Sequence, residues 1–143
     1  MTRVATCQCR SFHLIAAGEP EFVNICHCTE CQRRSGVPLT CNAYFLKDNV
    51  RLEGEYKVYT RDAPGERKLN NHFCPTCGST VCWSFDLRPG HYGVAVGCFN
   101  DPDFPVPTIS IWEQSKYAWT ETPSGCQHFP QMRPIPQPST SSG

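Results

Sequence analysis

Apolar residues fall along this chain in short runs bounded by Gly, Pro, Asn and Asp, a pattern that predicts strands and turns rather than long helices. Val4 to Ala16 carries Ser11-Phe12-His13-Leu14-Ile15 up to a turn at Gly18-Glu19-Pro20, and Phe22 to Cys28 reads as another short strand. Leu39 to Leu46 and Val50 to Tyr59 predict two more, turning at Asp48-Asn49. Thr80 to Phe85, Tyr92 to Phe99 and Ile109 to Trp112 complete the set. Helix is expected only as short turns, one over Cys31 to Gly36, closed by Gly36, and one over Ser115 to Thr120. Thr60 to Asn70 is polar, is tipped by Pro64-Gly65 and reads as a loop, and Asn100 to Pro107 reads as a Pro-rich connection.

Composition narrows this to a mainly β, small single-domain antiparallel fold. A chain of 143 residues fits one core, and 13 prolines with 10 glycines favour turns. The domain is expected over residues 1–129, with 130–143 a disordered Pro/Ser-rich tail that has almost nothing to bury. Basic and acidic residues number 13 each, so no overall field attracts nucleic acid or an anionic membrane. No apolar run reaches the roughly 18 residues of a membrane span, and the first residues lack the apolar core of an export signal. The expected address is the cytoplasm.

The 11 cysteines change the picture most. In a reducing compartment they predict metal rather than disulfides, and seven of them fall in three tight clusters. Cys7-Gln8-Cys9, read as part of a strand, places both thiols on one side. Cys74-Pro75-Thr76-Cys77-Gly78 has the form of a zinc-ribbon knuckle, in which Gly78 allows backbone N–H groups to point at sulfur. These two pairs are the expected ligands of one structural zinc. A redox reading of Cys74 and Cys77 needs a helix beginning at the first cysteine, which Pro75 and the strand after Gly78 oppose. Cys26-His27-Cys28-Thr29-Glu30-Cys31 offers three thiolates and no evident fourth donor. Its zinc site is either open, as in catalysis, or closed by a histidine or another cysteine, and the residues alone leave both readings standing. Cys41, Cys82, Cys98 and Cys126 read as small buried hydrophobes, and Tyr44, Phe45, Trp83, Phe85, Trp112 and Trp119 chiefly as core.

The ordered motifs Cys7-x-Cys9, Cys26-His27-Cys28-x-x-Cys31 with Arg33 and Gly36, and Phe73-Cys74-x-x-Cys77-Gly78-Ser79 resemble the glutathione-dependent formaldehyde-activating enzyme family, which also includes centromere protein V. Ile111-Trp112 and Trp119 extend the likeness. The resemblance implies an antiparallel fold with two zinc ions. Cys7, Cys9, Cys74 and Cys77 would hold the structural one, and Cys26, Cys28 and Cys31 the catalytic one. The implied reaction is that of S-(hydroxymethyl)glutathione synthase, a carbon–sulfur lyase, with a thiol such as glutathione and a small carbonyl compound as partners. Arg33 and Arg34 are candidates to pair with substrate carboxylates, or else two solvated surface arginines. A non-catalytic zinc-binding interaction module and a zinc-assisted dehydratase or isomerase are the other readings. His27 and Glu30 are candidate proton carriers that read more readily as neighbours of the site than as part of it.

Overall fold

The computed structural model describes residues 1–134. The first hairpin, β1 (Thr2–Thr6) and β2 (His13–Ala17), pairs with β5 (Val50–Glu53) to make a three-stranded antiparallel sheet in the order β1-β2-β5. The remaining strands are β3 (Phe22–Cys26), β4 (Thr40–Leu46), β6 (Lys57–Ala63), β7 (Arg67–Phe73), β8 (Thr80–Phe85), β9 (Arg88–Ala95), β10 (Ile109–Ile111) and β11 (Gln127–His128). They form an eight-stranded sheet in the order β11-β10-β3-β4-β9-β8-β7-β6. The mainly β expectation holds, with one departure from a purely antiparallel arrangement: β10 runs parallel to both β3 and β11. The Pro-rich connection before β10 carries the chain back so that it enters in the direction of β3, which a tight hairpin cannot do.

Alternation along β4 separates the two faces of the large sheet. Ala43 and Phe45 point into a core shared with Ala5, Phe12, Leu14 and Ala16 of the small sheet and with Val23, Val81 and Val94. Asn42 and Tyr44 instead line a cavity together with Cys26. The core occupies one face of the sheet and the cavity the other. Phe12, Leu14, Phe45, Val81 and Val94 are all fully buried, which contributes about 2 kcal/mol of transfer free energy for each large side chain.

Several boundaries differ from the sequence expectation. The polar stretch Thr60 to Asn70 is a hairpin, with β6 and β7 paired from Lys57–Phe73 to Ala63–Arg67. Most of β6 is exposed, so its sequence lacks the apolar alternation that marks a half-buried strand. Val50 to Tyr59 divides at Gly54, where φ is +88° and the chain passes from one sheet to the other. The helix α1 (Thr29–Ser35) starts two residues earlier than expected because the Cys28 side chain caps it, accepting from the Cys31 N–H at 3.2 Å. Gly36 closes it in the left-handed conformation, as expected. Tyr92 to Phe99 ends as a 3-10 turn over Val96–Phe99, and in place of the turn expected over Ser115 to Thr120 a 3-10 turn lies earlier, at Glu113–Ser115.

Residues 130–132, which the sequence places in the tail, are held to the domain. The carbonyls of Phe129, Pro130 and Gln131 accept bonds from Glu113, Gln114 and Trp112, and Met132 packs against Cys26, Ile109 and Ile111. Unpaired donors at the end of β10 hold this stretch in place despite its polar composition. The rest of the expected tail, residues 135–143, lies outside the described residues. Among those described, no helix is long and apolar enough to cross a membrane.

Gly54 offers a direct test of this packing. A Cβ there would stand 1.9 Å from the Ser11 carbonyl oxygen, at a φ that side chains rarely adopt. Gly54→Ala is expected to cost about 3 kcal/mol, read as a lower midpoint in chemical denaturation, since the atoms it would meet are backbone of Ser11 and Phe12 rather than a flexible side chain.

Candidate metal centres and the cavity between the walls

The loop joining β1 to β2 and the loop joining β7 to β8 meet at four cysteines, Cys7, Cys9, Cys74 and Cys77, whose sulfurs all lie within 4.8 Å of one another. The sequence expectation that these residues converge is met, although Cys7 to Cys9 lies in a turn just beyond β1 rather than on a strand. The turn forms because the Arg10 N–H bonds back to the Cys7 carbonyl at 3.0 Å, with Arg10 at φ +74°. Its counterpart is the Gly78 N–H bonding to the Cys74 carbonyl at 2.8 Å, with Gly78 at φ +79°.

Sulfur spacing tests whether this cluster suits a metal. Cys7 and Cys9 Sγ are 3.7 Å apart, and Cys9 and Cys74 Sγ 3.6 Å. Four thiolates at zinc bonding distance around one ion would stand about 3.8 Å apart, whereas a disulfide needs about 2.05 Å. The residues fit a tetrahedral ion. Backbone N–H groups of Phe12 and Thr76 point at the sulfurs of Cys7 and Cys74, and the Ser11 hydroxyl stands 3.0 Å from Cys9 Sγ and 3.2 Å from Cys74 Sγ. Chiefly through the Ser79 hydroxyl, the Cys77 thiol is brought down to about 5, and Ser11 brings Cys74 down to about 7. Both shifts favour the thiolate that a metal needs.

The second cluster joins Cys26 at the end of β3 to Cys28, which caps α1, and Cys31 within α1. Cys26 pairs with Thr40 of β4 on one side and Ile111 of β10 on the other, so the strand end is fixed in the middle of the sheet. Hydrogen bonds from Cys26 and Cys28 pull the Cys31 thiol far below its ordinary value, while the same contacts push Cys26 well above it. A divalent ion would replace this uneven sharing of protons with three thiolates. Among the described residues no fourth histidine, cysteine or carboxylate joins the group.

What does adjoin it is a cavity of about 680 Å³. Cys26, Cys28 and Cys31 form part of its lining, with Asn42, Tyr44, Trp83, Phe85 and Trp112 among the other walls. The volume suits a small organic molecule or short peptide. Its charge is one-sided, with Arg33, Arg34, Arg61 and Arg67 facing Glu30 alone. Arg33 lies 3.5 Å from Glu30, and Arg34 stacks over Trp83 at 4.5 Å.

Arg33 and Arg34 both line the cavity, Arg33 with its side chain 74% exposed. Arg61 and Arg67 carry no mark of this placement in the sequence, because the hairpin that presents them reads as a polar loop; two arginines flanking a Pro-Gly tip are its one signal. Trp83, Phe85, Tyr44 and Trp112 are cavity walls as much as core, and Trp119 is exposed on the surface with its ring edge-on to Tyr117. His27 does not reach the cavity. Its side chain points to the opposite face of the strand, where Nε2 lies 3.0 Å from the Ser110 hydroxyl, itself donating to Glu113 at 2.8 Å. Cys41, Cys82, Cys98 and Cys126 join neither cluster.

A family model described as glutathione-dependent formaldehyde-activating enzyme matches residues 2–115, the span that carries both clusters and most of the cavity. Among solved structures, a crystal structure of a Rhodobacter sphaeroides protein is similar, with a TM-score of 0.53 and 23% identity. The match covers 71% of this chain and 92% of that one, and at this identity it is a likeness of fold. No curated protein matches the chain.

Proposed function

Because this chain belongs to the glutathione-dependent formaldehyde-activating enzyme family, we propose that it joins the thiol of a glutathione-like peptide to formaldehyde, with one zinc ion in each cysteine cluster. The observation that carries this reading is the three-thiol group opening on a cationic cavity, with no fourth histidine, cysteine or carboxylate among the described residues to close it. Four thiols make a closed structural centre and three leave a place for substrate. A zinc ion held by Cys26, Cys28 and Cys31 would keep a substrate thiol ionised at neutral pH.

The chain's own residues do the rest. Arg33 and Arg34 on α1, and Arg61 and Arg67 on the β6–β7 hairpin, supply guanidinium groups for the carboxylates of a peptide thiol. Arg34 is held against the Trp83 ring, which limits the freedom it loses on binding. Phe85, Leu87 and Trp112 cover the apolar stretch of the cavity and exclude water from the addition.

The direct test follows the rate of S-hydroxymethylglutathione formation by exchange NMR in mixtures of glutathione and formaldehyde. Zinc-loaded protein is expected to accelerate it at sub-stoichiometric concentration, and no acceleration over the spontaneous rate would remove this function. A second measurement addresses the arginines: Arg61→Ala with Arg67→Ala is expected to raise KM for glutathione roughly tenfold with kcat little changed. An unaltered KM would show that the hairpin takes no part in binding.

A further inference from the structure

Of the proton carriers that the sequence suggests, His27 does not reach the cavity and Glu30 is paired with Arg33, and the cavity contains a further candidate. Tyr44 is buried on β4 against Phe22, whose ring stacks on it at 4.6 Å. Its hydroxyl oxygen accepts from the Trp83 indole N–H at 3.4 Å. The Tyr44 proton itself has no acceptor among the described residues. An oxygen already engaged by an indole directs its own hydrogen elsewhere.

This arrangement is built rather than incidental. Trp83 can lie across β9 only because residue 93 is glycine, where a Cβ would stand 2.1 Å from the indole nitrogen. Trp83 and Gly93 are register partners, and Tyr44 pairs with Gly93 from the other side, so the three meet across adjacent strands. Arg34 caps the outer face of the same indole. Tyr44 and the three thiols line one cavity, whose volume suits a small molecule.

We infer that Tyr44 is a catalytic residue that donates its phenolic proton to the carbonyl oxygen as the thiol adds, with Trp83 as its positioning residue. This rests on the reading of the cavity as the place where a thiol adds to formaldehyde. The substrate sulfur forms a bond to the carbonyl carbon, the carbon–oxygen π pair moves to oxygen, and that oxygen takes the Tyr44 proton. Water then returns a proton to the phenolate, in balance with the proton the substrate thiol gave up on binding. Burial pushes the Tyr44 hydroxyl up to about 12, so it stays protonated at neutral pH and gives up its proton only to a strongly basic oxygen.

The test compares zinc-loaded wild type with Tyr44→Phe and Trp83→Phe. For Tyr44→Phe the expected result is kcat lower by roughly 100-fold with KM for glutathione unchanged. Binding gives a readout apart from turnover. Wild type is expected to bind S-hydroxymethylglutathione, kept in excess formaldehyde, roughly tenfold more tightly than S-methylglutathione, and Tyr44→Phe to bind the two alike. Should Tyr44→Phe not fold, Trp83→Phe carries the test, with kcat expected to fall roughly tenfold, separately from any rise in KM through the ring that holds Arg34. Wild-type kcat in these variants, or undiminished discrimination between the two adducts, overturns the role of Tyr44 and leaves the proposed function standing. Failure of the wild type itself to accelerate adduct formation overturns both.

Discussion

Cys28→Ser is expected to abolish adduct formation while leaving the fold in place. Cys28 has two duties: its sulfur belongs to the three-thiol cluster, and the same atom caps α1 by accepting from the Cys31 N–H. Serine is among the best capping residues, so the helix start survives the exchange. It is a poor ligand for a soft metal, so the cluster falls from three thiolates to two. The expected outcome is a loss of roughly 1000-fold in kcat/KM, the equivalent of about 4 kcal/mol of transition-state stabilisation. Thermal stability is expected to fall less than it does for Cys77→Ser in the four-thiol cluster, because the three ligands lie within six residues of chain and their ion closes no long loop. Rate assays and melting curves on the same preparation check both halves, and retained activity would remove the cluster from the chemistry.

Cys77→Ser is expected to do the opposite kind of damage. Cys7 and Cys74 are buried against the main core, and the four-thiol cluster ties the β1–β2 loop to the β7–β8 loop across more than 60 residues of chain. An ion that binds only the folded arrangement adds its binding free energy to stability. Losing one of four ligands is expected to cost on the order of 4 kcal/mol, a fall of about 12 °C in Tm for a domain of this size. Metal content should drop from about two zinc ions per chain to about one. Calorimetry with elemental analysis measures both, and an unchanged Tm would mean that this cluster is not a structural centre.

The two variants separate stability from catalysis because the clusters sit on opposite sides of the large sheet's division of labour. Cys7 and Cys74 join the core between the sheets, while Cys26, Cys28 and Cys31 face the cavity.

Much of this was legible in the residues. Cysteine pairs of metal-ligand spacing announce themselves whatever the surrounding structure, and Gly36 and Gly78 mark the turns that follow two of the clusters. Strands with a buried face, such as β4 and β8, carry the apolar residues that packing requires. The β6–β7 hairpin does not, since it extends beyond the core and its arginines serve the cavity instead. Its contribution was hidden a second time by the net charge, because zero for the whole chain conceals four arginines against one glutamate in the cavity. The role of Tyr44 was invisible for a different reason. An aromatic residue in a strand reads the same whether it fills a core or walls a cavity, and only the placement of Trp83 over Gly93 tells the two apart.

The account depends on one centre being closed by four cysteines and the other open to a substrate sulfur. Zinc-edge X-ray absorption on the loaded protein, before and after addition of glutathione, measures that difference. The predicted result is a mean of about three and a half sulfurs per zinc, rising to about four when the thiol is added. A mean of four sulfurs at the outset, or a spectrum that the thiol leaves unchanged, would contradict it.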